Sequence, residues 1–168
     1  MTSVERKKAL VQELAARLRA ELDAMERAQR ATVEGVTSEE AKPENDKDTR
    51  ALEQSYLARG QARRVEDLRD GVARVAVMPV RPFAAEAAIA LGALVTIEEN
   101  DGDSAGPEGE VSVVFIAPHG GGLRLGSGEQ VVTPASPLGR ALIGKVTGDD
   151  CELVIAGRTR ALRIREVA

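Results

Sequence analysis

The sequence predicts an α+β protein in which a helical hairpin precedes a small domain of short strands. Residues 4–34 and 49–78 are rich in helix formers, with apolar side chains at steps of three and four. Residues 94–164 instead contain short β-branched runs between glycine-rich turns. One tyrosine and two phenylalanines are the only aromatic residues, which suits an exposed hairpin better than one large core.

The first predicted helix covers residues 4–34, which contain no proline or glycine. Its apolar side chains form one narrow stripe on a polar cylinder, which indicates packing against one partner helix. The stripe consists of Val11, Leu14, Leu18, Leu22 and Met25. Gly35 is predicted to end this helix.

The second predicted helix begins at Thr49 and supplies the facing stripe. Its apolar positions are Leu52, Tyr56, Val65, Leu68, Val72 and Val75. Gly60 interrupts the pattern and indicates either a kink or a close helix contact. The two stripes and their short connection predict an antiparallel coiled-coil hairpin over residues 1–78, followed by a proline-containing linker at 79–83.

The connection between the helices, residues 37–49, is strongly acidic. Its carboxylates are Glu39, Glu40, Glu44, Asp46 and Asp48, against two lysines. Two interpretations are open. The carboxylates form a projecting tip that acts at a site on another molecule, or Asp46 and Asp48 merely cap and complement the N-terminus of the second helix.

Residues 84–168 are predicted to form the second domain. From residue 82 onward the chain carries 7 basic and 12 acidic side chains, so no independent DNA binding is expected. Ser136 as N-cap and Pro137 at the first helical position predict a short helix. The predicted strands are 94–97, 110–116, 130–133, 151–155 and 160–164.

Cellular location is limited by composition. Cys151 is the only cysteine, which excludes an internal disulfide. The charged start leads into no apolar signal core, and no apolar run reaches the ~18 residues that cross a bilayer. A monomer in the reducing cytoplasm, without membrane attachment, is expected.

The segment Ser136-Pro-Leu-Gly-Arg-Ala-Leu-Ile-Gly-Lys-Val-Thr-Gly-Asp149 resembles the C-terminal domain of the bacterial Gre-type transcript-cleavage factors. Family segments read Ser-Pro, a small residue, Arg, an apolar pair, then Gly-Lys and an acidic turn. Leu91-Gly-Ala-Leu-Val-Thr-Ile97 is similar to the first strand of that domain. The order of hairpin and β-rich domain extends the resemblance over almost the whole chain, and it implies an FKBP-like second domain.

The resemblance implies a function on RNA polymerase. The second domain would dock at the rim of the secondary channel, and the coiled coil would carry the tip to the active site. There the tip carboxylates would help to hold a second Mg²⁺ and a water, so that the polymerase hydrolyses a backtracked transcript. The implied docking residues are Ser136, Pro137, Arg140 and Lys145, and the implied tip residues are Glu44, Asp46 and Asp48.

In this interpretation the chain is an accessory factor and not an enzyme. It has no cofactor of its own, because the Mg²⁺ is shared with the polymerase only in the complex. The tip meets the 3′ end of the nascent RNA only indirectly.

The tip departs from the family pattern. Family tips usually read Gly-Asp, two residues, then Glu-Asn-Ala-Glu-Tyr, whereas this chain has Lys-Pro-Glu44-Asn-Asp46-Lys-Asp48. Alignment of the second helices places Glu44 over the family's Asp but Lys47 over its Glu. Either Asp46 or Asp48 substitutes, or the chain blocks the channel and inhibits, as anti-cleavage relatives do.

Two alternatives come from other classes of protein. An FKBP-like domain could be a chaperone or prolyl isomerase, although a proline pocket needs an aromatic floor and only Phe83 and Phe115 are available. The hairpin could also pair with another coiled coil, with the acidic tip serving only solubility.

Overall fold

The computed structural model describes residues 2–37, 49–100 and 109–168. It has the predicted α+β arrangement of a long helix pair and a five-stranded sheet. The elements are α1 Ser3–Thr37, α2 Thr49–Ala76, β1 Leu94–Asn100, β2 Glu110–Ile116, β3 Gln130–Val132, α3 Pro137–Leu142, β4 Asp150–Ile155 and β5 Arg158–Val167. Within the described residues, no helix is both long and apolar enough to span a bilayer.

α1 begins with a capping box. The Thr2 hydroxyl accepts a hydrogen bond from the Glu5 amide at 3.2 Å, and the Glu5 carboxylate accepts one from the Thr2 amide at 2.7 Å. The helix then runs to Thr37, so the prediction that Gly35 ends it is wrong. One glycine inside a helix costs only about 1 kcal/mol relative to alanine, which does not by itself break it.

Contacts divide the chain into two compact units. The first consists of Met1–Leu14 and Arg74–Ala168, and the second of Ala15–Ala73. These units are defined by contacts between residues, whereas the predicted domains at 1–78 and 84–168 are defined by secondary structure. The domain bounds therefore stay a prediction.

In the second unit, the two helices run antiparallel. Near the connection, Val33 of α1 and Gln54 of α2 line the same cleft. Farther from it, Glu21 pairs with Arg64 at 3.5 Å. The buried apolar side chains of this unit include Leu18, Val65 and Leu68.

The end of the helix pair near the connection is open. Leu52 and Tyr56, which were expected in the buried stripe, are 58% and 63% exposed. The reason is that residues 26–34 of α1 offer little apolar surface, since only two alanines and a valine occur among them. A cleft of about 410 Å³ lies here, lined by Gln29, Val33, Gln54, Ser55, Ala58, Arg59, Gln61 and Ala62. A Cβ on Gly60 would meet no atom within 4 Å, so Gly60 does not mark a close helix contact.

The sheet of the first unit contains all five predicted strands, in the order β3-β2-β1-β5-β4. The β2–β3 pair is parallel, and the other pairs are antiparallel. α3 contributes Leu142 to the core on one side of the sheet. That core consists of Ile89, Ala93, Val95, Ile97, Val114, Ile116, Val132, Leu142, Ile164 and Val167.

Candidate partner-binding site

The predicted tip residues Glu44, Asp46 and Asp48 lie outside the described residues. The structure does give the two ends of the acidic connection, because α1 ends at Thr37 and α2 begins at Thr49. Across residues 2–37, 49–100 and 109–168, no three His, Cys, Asp or Glu side chains form a group that could hold a metal ion. The shared Mg²⁺ therefore stays a prediction about the tip.

The segment that carries the family resemblance begins as the sequence predicts. Ser136 is the N-cap of α3, with φ −68° and ψ 158°, and Pro137 occupies the first turn. The Ser136 hydroxyl accepts a hydrogen bond from the Gly139 amide at 3.0 Å and donates one to the Thr133 carbonyl at 2.7 Å. The Ser136 hydroxyl is thus engaged in holding the helix start.

The backbone conformation of this segment explains why glycine occupies three of its positions. A Cβ on Gly139 would lie 2.0 Å from the Thr133 carbonyl oxygen, so only glycine fits there without a shift of backbone. Gly144 and Gly148 have φ of +81° and +92°, which favour glycine. The Asp149 carboxylate accepts a hydrogen bond from the Val146 amide at 3.0 Å and closes the final turn. The fold alone therefore accounts for the serine, the glycines and the acidic turn.

The fold does not account for the exposed side chains of the same segment. Arg140 and Lys145 are exposed, and neither makes an ion pair with another described residue. Ile143, between them in sequence, is 39% exposed and was not singled out from the sequence. We call Pro137, Arg140, Ile143 and Lys145 the α3 surface. Its two cations and two apolar side chains suit an acidic partner surface.

Beside α3, a cleft of about 310 Å³ opens on the sheet. Its walls are mainly aliphatic, and Glu99 and Arg160 form an ion pair at 3.0 Å on one side. No phenylalanine or tyrosine lines it. Phe115 is fully buried, and the Phe83 ring lies 4.4 Å from the Lys7 ammonium. The cleft therefore lacks the aromatic floor that a proline-binding pocket requires.

Cys151 is half-buried at the start of β4. Burial raises the pKa of its thiol, and Lys145 opposes this shift. A thiol with a raised pKa is largely protonated at neutral pH and is a poor nucleophile. This environment suits a small packing side chain.

The first turns of α1 are tied to the loop that precedes β3. Arg6 donates to Glu129, with its Nε 2.7 Å from Oε1, and Glu129 is fully buried. The Glu13 carboxylate accepts from the Gly126 amide at 2.9 and 3.0 Å. These charged contacts were missed in the sequence, because a charged residue on a long helix is usually solvated.

Lys7 is the most unusual charged residue of this region. It is 0% exposed, and its ammonium donates to the Arg81 carbonyl at 2.8 Å. Burial, with a smaller contribution from the charge of Arg81, lowers the pKa of Lys7 from 10.5 to about 8. No local pattern distinguishes Lys7 from its neighbour Lys8, so only packing reveals it.

The fold defines the class as an α+β protein with a helical hairpin and a five-stranded mixed sheet. The chain is similar to the solved structure of GreA factor homolog 1 (Gfh1) of Thermus thermophilus, with 19% identity over 92% of this chain and 94% of that chain and a TM-score of 0.38. It is also similar to Gfh1 of Thermus aquaticus, with 18% identity, 93% and 94% coverage and a TM-score of 0.40.

A third similar structure is the prokaryotic transcription elongation factor GreA/GreB from Nitrosomonas europaea, with 18% identity over 70% of this chain and 92% of that chain and a TM-score of 0.38. No protein-family model and no curated protein matches the chain. Identities of 18–19% and TM-scores of 0.38–0.40 do not carry a function over, so the function is argued from the residues of this chain.

Proposed function

We propose that the protein is an accessory transcription factor. It binds RNA polymerase at the rim of the secondary channel and stimulates the polymerase's own cleavage of backtracked transcripts. The proposal is supported by the Gre-type pattern of residues 136–149 and by the helix pair. The proposed class of protein is also the one that the name of the Nitrosomonas europaea structure gives, a transcription elongation factor.

One observation carries the proposal, namely that two long helices enclose the acidic connection. α1 has 35 residues and α2 has 28, which correspond to roughly 50 and 40 Å at 1.5 Å per residue. Their antiparallel pairing puts the end of α1 at Thr37 and the start of α2 at Thr49 at the same end of the pair. Carboxylates that reach the polymerase active site through the secondary channel would require such a long carrier.

The tip residues would act through a shared metal ion. Glu44, Asp46 and Asp48 supply carboxylate oxygens, the ligands that Mg²⁺ prefers. When bound, the metal lowers the pKa of a water and offsets charge on the scissile phosphate. The tip carboxylates would hold the ion and orient the water, and the polymerase would supply the rest of the site.

The α3 surface would provide the docking contacts. Arg140 and Lys145 are exposed cations with no ion-pair partner among the described residues, so a partner carboxylate can bind them without breaking an existing ion pair. Pro137 and Ile143 add exposed apolar area next to these charges. Docking and cleavage would thus depend on separate residues.

The test uses backtracked elongation complexes and follows RNA length. Wild-type protein is expected to shorten the transcript. Glu44→Gln, Asp46→Asn and Asp48→Asn combined should abolish this, because the carboxylates are lost at nearly constant size. Glu39→Gln with Glu40→Gln removes acidic charge from the same connection and serves as the matched control, which should keep cleavage.

Binding to polymerase is measured separately, by competition with a labelled wild-type protein. The triple tip variant should bind as wild type does. Arg140→Ala with Lys145→Ala should weaken binding at least about tenfold, since each charge-assisted contact contributes roughly 1.5–3 kcal/mol. Cleavage that persists in the triple tip variant would contradict the role of the tip.

A second candidate function is inhibition by occupation of the channel. The observation in its favour is Lys47, a cation at the position that aligns with a family glutamate. In this case wild-type protein binds polymerase and slows elongation, but it never shortens a backtracked transcript. Lys47→Glu would then be expected to confer cleavage that the wild-type protein lacks, which the first candidate does not require.

A further inference from the structure

β4 is a free edge of the sheet. It is the last strand in the order β3-β2-β1-β5-β4 and pairs with β5 along Asp150–Ile155. Among the described residues, no other strand pairs with it. Edge strands are commonly blocked by proline, by a bulge, by short length or by charged side chains that repel a wrong partner. β4 has six residues, no proline and no register shift against β5.

The backbone groups that face outward can be assigned from the register. The Ile164 amide donates to the Asp149 carbonyl at 2.9 Å, and Cys151 is opposite Leu162. Hydrogen-bonded pairs alternate along an antiparallel ladder, so Cys151, Leu153 and Ile155 bond to β5. The amides and carbonyls of Asp150, Glu152 and Val154 therefore point away from the sheet.

The same edge is apolar at its hairpin end. Val154 is 61% exposed and Ile155 is 48% exposed. A two-residue turn at Ala156 and Gly157, with φ of 51° and 77°, joins β4 to β5. Ile155 also lines the cleft beside α3. Both faces of the strand end thus present apolar side chains to solvent.

The other end of the edge is acidic. Asp150 and Glu152 are exposed, and Asp150 lies 3.9 Å from Arg163. Glu152 makes no ion pair with any other described residue. On an added antiparallel strand, the residues opposite Asp150 and Glu152 would point to the same face as these carboxylates.

We propose that this edge binds an extended segment of a partner protein as a sixth strand, with basic side chains opposite Asp150 and Glu152 and an apolar side chain opposite Val154. Backbone hydrogen bonds would provide affinity, and the charge pattern would provide specificity. This interaction is independent of the proposed action of the hairpin on polymerase.

A second copy of the chain fits this edge poorly. The register that pairs the whole outward face of β4 with itself, antiparallel, places the Glu152 side chains of both copies opposite each other. Like charges directly opposite on adjacent strands are destabilising. The carboxylates therefore disfavour self-pairing and favour a basic strand.

The test titrates the full chain with a soluble peptide that contains Val-Thr-Lys-Thr-Lys, which as an antiparallel strand places its valine opposite Val154 and its lysines opposite Glu152 and Asp150. Binding is followed by NMR shifts and by exchange of the Glu152 and Val154 amide protons. We expect these two amides to exchange more slowly with peptide. N-methylation of the peptide amides that face β4 keeps charge and apolar character, and it should weaken binding at least about tenfold, because several hydrogen bonds are lost.

Charge reversal tests the specificity. Glu152→Lys should weaken binding of the lysine peptide by up to about fivefold, which is the range of one cross-strand pair. It should strengthen binding of a peptide in which glutamates replace the lysines. If the N-methylated peptide bound as tightly as the unmethylated peptide, binding would arise from charge attraction alone, and the proposal would be overturned. Slow exchange of the same amides in a dimer without peptide would overturn it as well.

Discussion

The helix pair and the sheet are stabilised in different ways. In residues 15–73 only part of the apolar stripe is buried. Leu18 and Val65 are buried, but Leu52 and Tyr56, near the connection, are exposed. In the sheet, Phe115 and Ile116 are adjacent in β2 and both are 0% exposed, because successive strand residues face opposite sides and both sides are covered. The helix pair is therefore long but buries few side chains, whereas the sheet is short and buries side chains on both of its faces.

The largest difference is expected from removal of aromatic rings. Phe115→Ala should lower the free energy of unfolding by about 3–5 kcal/mol, because a fully buried ring leaves a cavity. Tyr56→Ala should change it by no more than about 0.5 kcal/mol, since Tyr56 is 63% exposed. Urea unfolding followed by circular dichroism measures both. Similar losses for the two variants would show that the open end of the helix pair is packed.

A smaller loss is expected where the chain approaches itself closely. Gly139→Ala should cost about 1–3 kcal/mol, because the new Cβ would lie 2.0 Å from the Thr133 carbonyl oxygen. Gly126→Ala is the matched control, since its Cβ would meet the Glu13 carboxylate at an ordinary 3.4 Å. The same urea titration compares them. If Gly139→Ala unfolds at the wild-type midpoint, the start of α3 is looser than described.

The charge buried at the base of α1 predicts an effect confined to alkaline pH. The pKa of Lys7 is lowered from 10.5 to about 8, so between these values the folded state binds fewer protons than the unfolded state. The free energy of unfolding should therefore rise as pH increases through this window, and the gain should be absent below about pH 8.

Lys7→Met removes this titration while it keeps most of the side-chain volume. Unfolding measured at pH 7 and pH 10 should show wild type gaining stability relative to Lys7→Met. Lys8→Met, at an exposed neighbouring position, should retain the pH dependence of wild type. An unchanged difference between wild type and Lys7→Met at both pH values would place the Lys7 ammonium in water.

The smallest effect concerns the interior of α2. Gly60→Ala should raise the free energy of unfolding by about 0.5–1 kcal/mol, because alanine has the higher helix propensity and its Cβ would meet no atom within 4 Å. Thermal unfolding of wild type and variant measures this. A loss of stability would instead indicate the close helix contact that the structure does not show.

Local sequence was sufficient to predict the presence and order of the helices and strands, although the end of α1 at Thr37 was not predicted. Ser136 and Pro137 specify the start of α3 through cap chemistry, and periodicity separates helices from strands, because these signals act over a few residues. The acidic connection was likewise visible in the sequence, whereas Arg140 and Lys145 were named through the family resemblance and their exposure comes from the structure.

Long-range packing determined what those signals could not. No local pattern distinguishes Lys7 and Glu129 from surface charges, and only the approach of α1 to distant loops buries them. Tyr56 read as core, yet the opposing stretch of α1 is too polar to cover it. The free edge of β4 likewise follows from the strand order. Burial and strand order depend on residues far apart in the chain, so no local pattern contains them.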